Sequence, residues 1–180
     1  TFTDTLGDYT EVKNFKSIVF GGEEYNFQPS DTNPTTNPDG SRTYTFDYSI
    51  NNPADSVYPG AHNLKDIKIT VTPGDTLRSG ETVTVEIPST LIPLRLYTAT
   101  SETVDGETTT TTDVRDAYPI RVYYTVGLKN GLVDDGGNLD PSQIDDNYIE
   151  SHTDADGNVY FYSNNYNGDG AGTTTATFVP

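Results

Sequence analysis

An alternation of apolar and polar residues with a period of two runs through most of this chain and leaves little room for anything but strands. Tyr44, Phe46, Tyr48 and Ile50 alternate with Thr45, Asp47 and Ser49. Ile67, Ile69 and Val71 alternate with Lys68 and Thr70, and Val83, Val85 and Ile87 with Thr84 and Glu86. Ile120, Val122, Tyr124 and Val126 do the same around Arg121, Tyr123 and Thr125. Successive side chains of a strand point to opposite faces, so each run has one apolar face and one polar face. Antiparallel sheets with a single buried face read this way. Residues 11–20 form one long strand in this reading, and Gly21-Gly22 turns it into a second over 23–27. Strands over 159–162 and 173–179 complete the set.

Turn chemistry agrees. Asp105-Gly106 separates two Thr-rich arms, 96–104 and 108–114, and Asp-Gly supplies the positive φ angles of a tight hairpin. Pro73-Gly74-Asp75 and Arg78-Ser79-Gly80 lie between the second and third alternating runs, and residues 30–41 form a polar loop with two Asn-Pro steps. One segment reads as a helix. Asp140-Pro141-Ser142-Gln143 offers an N-cap, a proline at the first helical position and a glutamine at the third. Ile144, Tyr148 and Ile149 then share one face, which predicts a helix over 141–151. A second short helix is predicted near 4–9. No shift in composition marks a boundary, so residues 1–180 are expected to form a single all-β domain. Its expected architecture is an Ig-like antiparallel β-sandwich with one short helix near 141–151.

Core material is scarce. Leu, Ile, Val and Phe account for only 38 of 180 residues, close to the roughly 20% below which a charged chain stays disordered. Thirteen tyrosines supply the missing buried area. Charge excludes several partners. With 27 acidic and 10 basic side chains, the net charge of −17 disfavours nucleic acid and anionic membranes, which both need clustered Lys and Arg. No apolar run approaches the roughly 18 residues of a membrane-spanning helix. The absence of Cys rules out disulfides, thiolate metal sites and a cysteine nucleophile. The only histidines, His62 and His152, sit in no ligand motif, and no hydrolase, zinc-protease or phosphate-loop pattern occurs. The chain is therefore expected not to be an enzyme and to carry no cofactor, with Ca²⁺ as the one ion to consider.

Three constellations could carry function. Asp154, Asp156 and Asn158 place oxygen ligands two residues apart in an Asp-Gly turn, a pattern that suits Ca²⁺ and equally suits a plain turn. Tyr97, Tyr118, Tyr123, Tyr160, Tyr162 and Tyr166 offer stacking surfaces for a host glycan or protein, or pack in the sandwich. The third is an internal covalent crosslink. A neutral lysine amine beside an asparagine amide and a protonated acid condenses to an isopeptide and releases ammonia, and a low-dielectric core favours both neutral forms. Lys13 and Lys16 on the first long strand, Asn164 and Asn165 near the last, and Asp47 in mid-strand are the candidates. Asp47 alternates with apolar neighbours and would then face water, as would Glu86.

The opening TDTLGDYTEVKNFKSIVFGGEEYNF resembles the segment that follows a von Willebrand A domain in large surface proteins of Gram-positive bacteria. SGETVTVEIPSTLIPLRLY, YPIRVYYTVGLKNG and DADGNVYFYSNNYNGDGAGTTTATFVP resemble later parts of the same modules, so the likeness spans most of the chain. The resemblance implies an Ig-like stalk module of a pilin-type adhesin, extracellular and anchored to the cell wall by sortase. It implies neighbouring domains of the same protein as partners, with the host ligand bound by the von Willebrand domain. It also implies a Lys–Asn isopeptide, with Asn164 or Asn165 as the amide partner. An eight-residue Gly-rich stretch, 166–173, separates that pair from the last strand.

Overall fold

The first long strand is the spine of the molecule. The computed structural model describes residues 1–28, 34–55, 60–91, 95–116, 119–164 and 177–178, with the backbone alone at 95–98, 114–116 and 177–178. β1 (Phe2–Thr5) leads into β2 (Thr10–Phe20), which pairs with β3 (Glu23–Asn26) across the Gly21-Gly22 turn. β4 (Thr35–Thr36), β5 (Arg42–Thr45), β8 (Lys68–Thr72) and β9 (Thr82–Glu86) join β1 in a five-stranded antiparallel sheet of order β1-β9-β8-β5-β4. A three-stranded antiparallel sheet has the order β12-β2-β3, with β12 at Arg121–Leu128. The remaining pairs are β6 (Ser49–Asn52) with β7 (Gly60–Asn63), β10 (Arg95–Val104) with β11 (Glu107–Asp116), and β13 (Phe161–Tyr162) with β14 (Thr177–Phe178).

The five- and three-stranded sheets bury their apolar faces in one shared core, which makes the fold all-β and sandwich-like. Val12, Phe15, Ile18 and Phe20 from β2 meet Ile69, Val71, Val83 and Val85 from β8 and β9. Phe15 packs on Tyr44 with ring centroids 4.7 Å apart, and Tyr44, Val122, Tyr124 and Val126 are half-buried against this core. Each aromatic contact contributes about 1 kcal/mol beyond its buried area, which offsets the low aliphatic content. A second cluster joins Tyr148 of α1 (Asp146–Ser151) to Tyr9, Leu132, Ile144 and Phe161. The β10–β11 hairpin turns at Asp105-Gly106 as expected, and its described side chains from 99 to 113 are all exposed.

Three expectations are corrected. The alternating run from Tyr44 to Ile50 is not one strand. The Tyr48 N–H donates to the Phe46 carbonyl at 2.9 Å, so the chain turns at Phe46 and divides into β5 and β6, which join different partners. Phe46 is fully buried there, against Phe27 and Tyr48. Residues 4–9 are not helical. Asp4 belongs to β1, and its carboxylate accepts the Tyr124 hydroxyl hydrogen bond, while Tyr9 turns the chain with φ of 66°. The helix over 141–151 is interrupted. Asp140 caps a 3-10 turn (Pro141–Gln143) by accepting the Ser142 N–H at 3.1 Å, and α1 starts only at Asp146. Between them Ile144 is buried and the Asp145 N–H donates to the Tyr9 hydroxyl at 2.9 Å, so tertiary contacts replace the continuous helix.

Candidate functional site

Lys13 enters the site through a register slip. Asn14 pairs with Thr125 and Val12 with the next residue, Val126, so Lys13 is the unpaired residue of a β-bulge in β2. A bulge re-aims the extra side chain, and here it sends Lys13 over the β12 strand. Gly127 makes room for it. A Cβ on Gly127 would lie 3.0 Å from Lys13 Cε and 3.2 Å from Cγ. Lys16 is the corresponding residue of a second bulge, between the Phe15–Tyr124 and Ser17–Tyr123 pairs, and its side chain is exposed.

The Lys13 amine donates to Glu11 Oε1 at 2.7 Å and to Asn130 Oδ1 at 3.0 Å. The same Glu11 oxygen accepts the Asn130 backbone N–H at 2.9 Å. Asn130 opens a 3-10 turn (Asn130–Leu132) directly after β12, and the preceding Lys129 gives that turn no side-chain cap. Glu11 therefore serves as the cap from across the sheet, which fixes both it and the asparagine. Lysine amine, amide carbonyl and carboxylate converge on one point, with side chains 36% exposed at Lys13 and 23% at Glu11.

The next lysine is held differently. Lys129 Nζ donates to the backbone carbonyls of Thr76 at 3.0 Å and Ser79 at 2.5 Å. Burial lowers its pKa, against the opposing pull of Glu81, Glu11 and Asp8. This amine clamps the end of β12 to the loop before β9.

Other expected residues go elsewhere. Asp47 forms an exposed ion pair with Lys65 at 2.8 Å. Glu86 likewise faces solvent, 3.8 Å from Lys68. Asn164 forms an isolated bridge with Leu6, and Asn165 lies outside the described residues. The trio of Lys13, Asp47 and Asn164 is thus not assembled. Asp47 faces water as expected, from the turn between β5 and β6. Asn130 was missed because no local pattern marks it; the bulge and the β2–β12 register bring it to Lys13.

Asp154 Oδ1 accepts the N–H groups of Asp156 and Asn158, each at 2.9 Å. These hydrogen bonds, first that from Asn158, lower its pKa. The carboxylate closes its own turn, as Asp134 does with Gly136 and Asn138. Among the described residues, no three His, Cys, Asp or Glu side chains come together to hold a metal ion. Of the tyrosines, Tyr160 and Tyr162 are half-buried around His152, with ring centroids 5.2 and 6.0 Å from it. His152 itself stacks on Tyr148 at 3.8 Å. Tyr123 is exposed, while Tyr118, Tyr166 and the Tyr97 side chain lie outside the described residues.

Comparison with protein-family models, with curated proteins and with solved structures finds no match.

Proposed function

We propose that this chain is a structural stalk module of a sortase-anchored cell-surface adhesin, not an enzyme, and that Lys13 and Asn130 form an intramolecular isopeptide within it. The observation that carries the crosslink is the convergence of Lys13 Nζ on Asn130 Oδ1 and Glu11 Oε1. The adhesin setting, the extracellular location and the neighbouring domains as partners rest on the sequence resemblance. In the reaction Glu11 takes a proton from the Lys13 ammonium. The free amine attacks Asn130 Cγ, the acid passes its proton to Nδ2, the C–Nδ2 bond breaks and ammonia departs, and the Glu11 carboxylate takes the second proton from the attacking nitrogen, which leaves a neutral amide. The product bridges residues 117 apart in sequence, and closing such a loop stabilises by about 5 kcal/mol in the chain-entropy account of crosslinks. A module without cysteine gains in this way the covalent tie that disulfides give other extracellular domains.

Intact mass of the denatured protein tests the crosslink. A mass about 17 Da below the sequence mass, restored by Lys13→Arg, is the expected result for loss of one ammonia. An unshifted mass overturns it.

A second reading, a module that binds a host glycan or protein with or without Ca²⁺, draws on the aromatic cluster of Tyr160, Tyr162 and His152. A glycan array probed with and without chelator tests it, and blank arrays in both conditions count against it.

A further inference from the structure

At the opposite end of β12 from Lys13, the sandwich is open. β1 is the outermost strand of the five-stranded sheet and β12 the outermost of the three-stranded sheet. Between them runs a cleft of about 440 Å³, lined by Phe2, Val85, Ile87, Ile120, Val122 and Tyr124. Arg121 and Tyr123 line it as well. Among the described residues only four large apolar side chains are exposed, and two of them, Phe2 at 54% and Tyr123 at 42%, line this cleft. An outermost strand presents a row of backbone N–H and C=O groups without a strand partner, the template on which a further strand adds.

Charge selects the occupant. Arg121 is exposed and forms no ion pair among the described residues, although the chain carries 27 acidic side chains. Among the described residues it is the only charged one lining the cleft, so the complement is a segment with apolar side chains and a carboxylate. A second copy of the chain fits poorly, since each copy brings a net charge of −17. We infer that this cleft binds an extended segment of another polypeptide, which adds as a strand to the β12 edge that has no strand partner among the described residues. Its alternate apolar side chains enter between Phe2 and Val122, and one Asp or Glu meets Arg121. Five of the eight described lining residues, 120–124, belong to β12 or adjoin it, which makes that edge the docking strand. The inference goes beyond the stalk reading and stands whether or not Lys13 and Asn130 react.

The test is selection from a displayed library of ten-residue peptides against the whole chain and two surface variants, Phe2→Ser and Arg121→Glu. The expected winners alternate apolar and polar residues around one Asp or Glu. A synthetic winner should bind Phe2→Ser at least tenfold more weakly and should slow backbone amide exchange within 121–125. Arg121→Glu should select Lys or Arg at the acidic position instead. The inference is overturned by no enrichment over a blank surface, by winners that bind both variants equally, or by unchanged exchange at 121–125. Concentration-dependent dimers that fill the cleft without peptide would overturn it as well.

Discussion

Arg42 holds the carboxylate of Glu81 through two guanidinium nitrogens, at 3.0 and 3.3 Å. Glu81 is 3% exposed and also accepts the Val12 backbone N–H at 2.8 Å, so this one acid ties the five-stranded sheet to β2. The guanidinium loses hydration by burial, yet its bonds to Glu81 and Tyr44 raise its pKa overall. Removing one member of such a pair leaves a buried charge without its partner. Arg42→Ala is therefore expected to cost about 3 kcal/mol, read as a lower urea midpoint. A change below about 0.5 kcal/mol would mean that water replaces the guanidinium freely.

Gly7 packs directly against the last described bridge of the fold. A Cβ built on it would lie 2.0 Å from the Tyr162 carbonyl oxygen. Backbone cannot move aside as a side-chain tip does. Gly7→Ala should therefore destabilise by about 3 kcal/mol or more, with loss of the Leu6–Asn164 bridge seen by amide exchange. A variant of native stability would show that β13 is not seated on Gly7.

Tyr9→Phe removes a single atom. The hydroxyl accepts the Asp145 N–H that interrupts the helical segment, in a part-buried setting. The expected cost is about 1 kcal/mol by thermal or chemical denaturation. If Asp145 instead joins a continuous helix in the variant, its carbonyl and amide shifts will report it and stability will hardly change.

Acid should loosen the loops before the cores. Hydrogen bonds to the turn hold Asp39, Asp134, Asp140 and Asp154 below the usual carboxylate pKa of 3.8. Because the folded values are depressed, these contributions are present above 3.8 and are lost as pH falls through the lowered values. Side-chain carboxyl NMR titration checks this, and midpoints at or above 3.8 would contradict it. At the alkaline end, burial first and the bond to Glu23 second push Tyr25 up to about 12. A raised value means its contribution is present below 10.0 and is lost as pH climbs towards 12.

Most strands were legible in the sequence because their cause is local. Val83 and Val85 are buried and Thr82 and Thr84 half-exposed simply because side chains alternate, and Asp105-Gly106 made the hairpin by its own backbone preference. The misreadings share a different cause. In each of the segments 4–9, 46–48 and 144–145, a distant partner outcompeted the local preference: Tyr124 for Asp4, Phe27 for Phe46, and Tyr9 for Asp145.

The sequence by itself determined that this protein is all-β, with antiparallel strands, a Thr-rich hairpin and one short helix. It also marked the part of the core that strands carry, such as Ile69, Val71, Val83 and Val85, since burial of each strand face follows from a period of two. Only the tertiary structure decided which strands are neighbours and where their register slips. Both lysines of β2 sit at such slips, and the slip at Lys13 carries its amine to Asn130, 117 residues away. Both edges of the open cleft are likewise products of strand order. Alternation is written residue by residue, whereas register and sheet order depend on which distant surfaces bury the most area together, and no short stretch of sequence encodes that sum.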